Sequence, residues 1–167
     1  MFISQTYGML EIEEVPDMIL DYYKNMKKKF ADSPFHIVIG TDSQNFYSDT
    51  KVVSVIAVTC EGHGGIFFYQ IENIPKITDV RKKIYYETNL SLQVADNLLE
   101  LIENDPMYEE LYTECTYSIH IDAGYSHEGK TWSLIPELIG WVKSMGYDAI
   151  AKPDSYCASS IADKISK

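Results

Sequence analysis

The chain has little positive charge. Of its 167 residues, 14 are Lys or Arg against 25 Asp or Glu, a formal net charge of −11, and Arg81 is the single arginine. Affinity for DNA or RNA comes mostly from Lys and Arg neutralising phosphates, so this balance argues against a general nucleic-acid binder. Two short basic runs, Lys27-Lys28-Lys29 and Arg81-Lys82-Lys83, read as solvated helix faces. Long apolar runs are also missing. Nothing approaches the roughly 18 residues of a membrane span, and the start, Met-Phe-Ile-Ser-Gln-Thr-Tyr-Gly, has neither the basic nor the apolar part of a signal peptide. Cysteine is scarce: Cys60, Cys115 and Cys157 are odd in number, widely spaced and without zinc-site spacing, as expected of reduced thiols in a cytoplasmic protein. No repeat, low-complexity segment or linker divides the sequence. A single domain over residues 1–167 is expected, with no membrane partner.

What is present is a mixed helix and strand pattern, 46 % hydrophobic. Pro16 to Phe30 reads as a helix with proline in its first turn. Phe35–Asp42 and Lys51–Cys60 read as buried strands, and Gly62-His63-Gly64-Gly65 as a hairpin turn into a third strand, Ile66–Ile71. Thr78 and Asp79 can cap a long helix running to about Glu103, and Asp105-Pro106 breaks the chain. An acidic stretch (107–114) leads to strand Thr116–Asp122. A helix from about Thr131 to Ser144 follows, its start uncertain because of Pro136. A short strand, Asp148–Lys152, precedes a final helix opened by Pro153 and Asp154. Three turn-linked strands followed by helix-linked strands predict an α/β fold: a mixed five-stranded sheet with helices on both faces.

Four acids stand out by position. Asp42 ends the apolar run Phe-His-Ile-Val-Ile-Gly-Thr-Asp, and Asp122 ends Tyr-Ser-Ile-His-Ile-Asp. The two can meet if their strands are neighbours, because alternate strand residues share a face. Glu87 lines up on its helix with Val94 and Leu98, with Ser91 beside it, so it points at the sheet and not at water. Asp163 lies on a small, polar flank with Tyr156 and Ser159, beside a core stripe of Ala158, Ile161, Ala162 and Ile165. Carboxylates at such places cost several kcal/mol unless paired, and few basic residues lie near in sequence. A hard divalent cation, Mg²⁺ or Mn²⁺, is the economical partner, and it keeps water ligands for a substrate phosphate.

These residues carry a family resemblance. Gly-Thr-Asp-Ser (40–43), Glu87 on the first helix after three strands, Ile-Asp (121–122) and Ala-Asp-Lys-Ile (162–165) resemble the ribonuclease-H-like superfamily. Gly-Thr-Asp-Ser-Gln (40–44), Ile-His-Ile-Asp-Ala-Gly (119–124), Gly-Trp-Val (140–142), Lys-Pro-Asp-Ser-Tyr (152–156) and Ser-Ser-Ile-Ala-Asp (159–163) are similar to the YkuK family of small bacterial proteins, from about residue 10 onward. The resemblance implies a two-metal carboxylate site for phosphodiester hydrolysis, with Asp42 bridging two Mg²⁺ or Mn²⁺ ions, Glu87 and Asp122 on one and Asp163 on the other. Asp154 is the alternative fourth ligand, although a helix N-cap also explains it. Ser43, Lys130 and Lys152 are the candidate substrate-binding residues. The substrate would be nucleic acid or a nucleotide, and the acidic surface favours a short or unusual one. Because fold does not imply activity, a non-enzymatic interaction or scaffold domain is the alternative.

A rival motif competes with this reading. Gly124-Tyr125-Ser126-His127-Glu128-Gly129-Lys130-Thr131 matches the phosphate-cradling pattern G-x-x-x-x-G-K-[ST] between a strand and a helix, which would make an NTP-binding protein. Only 36 residues follow Thr131, with one clear further strand, too few for the parallel sheet such a loop serves. His120 shares a strand face with Asp122 and is a ligand or a buried, hydrogen-bonded histidine. His127 is a proton-transfer candidate or an incidental loop residue. Tyr85, Tyr86 and Tyr156 offer base-stacking rings or simple packing.

Overall fold

The computed structural model describes residues 1–124 and 131–155, and beyond them Cys157, Ile161 and Ile165. Seven strands form one sheet: β1 (Phe2–Ser4), β2 (Gly8–Leu10), β3 (Phe35–Asn45), β4 (Asp49–Cys60), β5 (Gly65–Pro75), β6 (Cys115–Gly124) and β7 (Asp148–Lys152). Their order is β2-β1-β5-β4-β3-β6-β7. The three long strands β3, β4 and β5 are antiparallel, while β6 and β7 join in parallel. The mixed sheet is as expected, but it has seven strands and not five. The additional pair, β1 and β2, is three residues each, too short for alternation to declare itself. It is held by pairing, with Ile3 opposite Tyr69 as the register contact to β5.

The helices are α1 (Val15–Lys29), α2 (Val80–Asn104), α3 (Glu109–Glu114) and α4 (Ile135–Ser144). Asp79 caps α2, accepting a hydrogen bond from the Lys82 amide at 2.9 Å. Helix α4 starts at Ile135, later than the sequence suggests, because a single tighter turn, Trp132–Leu134, precedes it. Pro136 then falls in the first turn, where its missing N–H costs nothing. The β4–β5 hairpin turns through Gly62 and Gly64, at φ of 77° and 84°, values that only glycine adopts without strain.

Two apolar layers flank the sheet. Phe35, Ile37 and Ile39 of β3, with Ile119 and Ile121 of β6, pack against Ile19 and Tyr23 of α1, Leu92, Ala95 and Leu98 of α2, and Leu138 and Val142 of α4. The opposite face buries Val38, Val53, Val55 and Ala57 under Cys157, with Ile161 and Ile165 packed on them. Most of the expected final helix lies outside the described residues, but Cys157, Ile161 and Ile165 cover this face as well. The three cysteines are buried free thiols. Among the described residues, no helix is long and apolar enough to cross a membrane.

A polar seam crosses the first layer. Ser91 of α2 donates to Thr41 Oγ1 of β3 at 2.8 Å, and Thr41 shares a 3.1 Å hydrogen bond with Ser54 of β4. All three are buried. Ser91→Ala should cost about 1 kcal/mol, the net value of a buried hydrogen bond. Leu98→Ala, in the apolar layer beside it, should cost about 2–5 kcal/mol. Urea denaturation at neutral pH measures both.

Candidate active site

The site is built where two parallel strands part. Pairing between β3 and β6 runs from Phe35–Cys115 to Gly40–His120 and stops there, although the strands continue to Asn45 and Gly124. Beyond that point they are free to diverge, and crevices at the carboxyl ends of parallel strands are the common ligand sites of such sheets. Continuing the register two residues brings Asp42 level with Asp122. Both lie in the phase of Gly40 and His120, so they share a face.

Glu87 comes from the other layer. It is 8 % exposed, as its alignment with Ser91, Val94 and Leu98 requires, and all of these are buried. Ser43 Oγ donates to its Oε1 at 2.5 Å. The contact repeats the seam one step along: four helix residues rise about 6.0 Å and two strand residues about 6.6 Å. If α2 places Ser91 on Thr41, it also places Glu87 on Ser43. Asp42, Glu87 and Asp122 line one cleft of about 170 Å³ with Val80, Lys83, Ile84 and Thr131.

The electrostatics agree with that convergence. The Glu87 carboxyl is lifted from its ordinary 4.5 to about 8, chiefly by burial, with the charges of Asp42 and Asp122 adding to the rise and the Ser43 hydrogen bond and Lys83 working against it. Lys83 is half-buried, unlike the solvated run expected of residues 81–83. It stands one turn before Glu87, a spacing that pairs side chains on a helix. Arg81 and Lys82 are exposed and fit the expectation.

Asp122 sits in an irregularity of β6. Ile121 pairs with Ala151 and Gly124 with Lys152, so β6 advances three residues while β7 advances one. Such bulges re-aim side chains. Lys152 Nζ meets Asp122 Oδ1 at 2.5 Å, the lysine side chain 45 % and the aspartate 17 % exposed. Of the candidate substrate-binding residues, Lys152 is therefore engaged with a candidate ligand, and Ser43 is buried against Glu87. Lys130 lies outside the described residues, as do Asp163, His127 and positions 125–130 of the rival phosphate-binding motif. Asp154 is exposed in the turn after β7, its amide bonded to Ala151 O. His120 is buried, with Nδ1 accepting from the Cys157 amide at 3.2 Å. Burial lowers its pKa to about 4, which makes it a neutral structural histidine.

A family model described as ribonuclease H-like matches residues 15–167, a span that contains β3, α2, β6 and the whole cleft. The chain belongs to the ribonuclease H-like family. The chain is also 29 % identical over 167 aligned positions, 96 % of each protein, to "Uncharacterized protein YkuK" of Bacillus subtilis (strain 168). No solved structure matches. In this chain β1 and β2 form one edge of the sheet, beside β5.

The donors at the cleft are all oxygen, the chemistry of hard cations. Among the described residues, no three His, Cys, Asp or Glu side chains are gathered closely enough to hold an ion as they stand. Asp122 is instead held by Lys152.

Glu87 makes stability depend on pH. Between pH 4.5 and about 8 the folded chain keeps a proton on Glu87 that the unfolded chain has released. Stability therefore falls as pH rises through that window and is level above it. Glu87→Gln keeps the Ser43 hydrogen bond and removes the titration. The variant should be about 2–4 kcal/mol more stable than wild type at pH 9 and no more stable at pH 4. Urea midpoints across that range measure the difference, and parallel curves would contradict the buried, protonated carboxyl.

Proposed function

We propose that this chain is a metal-dependent phosphodiesterase, a nuclease acting on nucleic acid or a nucleotide. One observation carries the reading: carboxylates from β3, α2 and β6 line a single cleft at the strand ends, and one of them is buried at a cost of a few kcal/mol. Packing alone would favour an apolar residue at position 87.

Asp42, Glu87 and Asp122 would hold Mg²⁺ or Mn²⁺, two ions in the family pattern, with Asp163 as the fourth donor. Bound there, the ions would supply an activated water and neutralise charge on the phosphate. The chain's own groups do the rest. Ser43 fixes the orientation of the Glu87 carboxylate, Lys83 steadies its ionised form, and the seam through Thr41 and Ser91 keeps α2 from sliding. Because Glu87 holds its proton to about pH 8, cation binding should release that proton and strengthen as pH rises.

A short single strand or a nucleotide suits the net charge of −11 better than a long duplex. Phe46 and Tyr47, 44 % and 99 % exposed at the tip between β3 and β4, supply rings on which a base can stack. Lys76 Nζ bonds Tyr47 O at 3.4 Å, which ties that tip to the segment leading into α2.

Millimolar Mn²⁺ should raise the melting temperature of the wild type by relieving like-charge repulsion. Asp42→Asn should abolish that rise while leaving the metal-free protein at least as stable. With single strands, hybrids and dinucleotides as substrates, Asp42→Asn and Asp122→Asn should each abolish cleavage, because each removes a metal ligand, and Lys130→Ala should lower it only modestly. Equal Mn²⁺ shifts in wild type and Asp42→Asn would remove the metal site. No metal binding and no cleavage would leave a scaffold domain.

A further inference from the structure

Lys152 is the last residue of β7, and β6 and β7 run parallel, so it stands at the same strand ends as the cleft. Its ammonium is 2.5 Å from Asp122 Oδ1. A divalent cation on Asp122 needs the carboxylate oxygen against which the ammonium now sits. The lysine is not locked in: its side chain is 45 % exposed, and its four-carbon stem is flexible. Asp122 is the less exposed member and sits in the irregular stretch of β6. The exchangeable member is therefore the lysine.

We propose that Lys152 is an internal counter-cation, competing with metal for Asp122 and released on metal loading to bind a substrate phosphate. The proposal rests on the metal-site reading above. In the metal-free protein Lys152 offsets the negative charge that Asp122 brings to the cleft beside Asp42. Metal removes that need. The freed ammonium stays tethered at the mouth of the cleft, where a phosphodiester would lie. Metal and substrate then bind in a favoured order, because the phosphate-binding cation exists only once the metal has displaced it.

The test is Mn²⁺ titration, by calorimetry or by Mn²⁺ spin resonance, of wild type, Lys152→Met and Lys152→Arg at pH 8.5 and low salt. Loss of an ion pair of this exposure should tighten Mn²⁺ binding about three- to tenfold in Lys152→Met. Lys152→Arg, which keeps the charge, should stay near wild type. In the Mn²⁺-loaded protein, Lys152→Met should raise the KM for a dinucleotide more than it lowers kcat. Equal or weaker Mn²⁺ binding by Lys152→Met, with wild type binding normally, would overturn the counter-cation and leave the metal site standing. Mn²⁺ binding by none of the three would overturn the metal site itself, and the proposal with it.

Discussion

Everything at the cleft depends on how α2 is registered against β3. The seam of buried hydroxyls, Ser91 on Thr41 and Thr41 on Ser54, is directional where the surrounding apolar packing is not. Ile84, Leu92, Leu98 and Ile102 would accept a slide of the helix by a fraction of a turn. Unpaired buried hydroxyls would not, because each costs about 1–3 kcal/mol. One turn along, the same register sets Glu87 on Ser43. A polar stripe inside an apolar layer thus converts helix packing into the position of one carboxylate.

The cleft is a local exception to the rules that hold elsewhere. Over most of their paired length β3 and β6 are tied by backbone hydrogen bonds and covered by apolar side chains. Where the pairing stops, acids from two layers come together, and Glu87, lifted mainly by its burial, keeps its proton to about pH 8. Lys83 and Lys152 offset part of the charge. A fold selected only for stability would have no need of this arrangement, and strained electrostatics of this kind concentrate at functional sites.

Much of this was legible in the sequence, for identifiable reasons. The phase of Glu87 could be read because α2 is 25 residues long, enough turns for its buried stripe to be unambiguous. Asp42 and Asp122 could be read because each closes an apolar run. The strands β1 and β2 could not, since three residues carry no period and their pairing is tertiary. Lys152 on Asp122 joins residues thirty apart through an irregular register, and no local rule reports that. Lys83 is different: its spacing of four from Glu87 was visible, but the neighbouring Arg81 and Lys82 made the run look uniformly solvated. Ser43 was noted for its motif and taken for a substrate contact, yet its hydroxyl faces the helix and holds Glu87.

The most direct test of the account is a crystal structure of the protein soaked in Mn²⁺ at pH 8.5, with anomalous scattering collected at the manganese edge. The account predicts a peak bounded by Asp42, Glu87 and Asp122, with carboxylate oxygens about 2.1 Å from the ion and Lys152 withdrawn from Asp122. Manganese bound only elsewhere on the surface, or none bound with the Lys152–Asp122 pair intact, would contradict it.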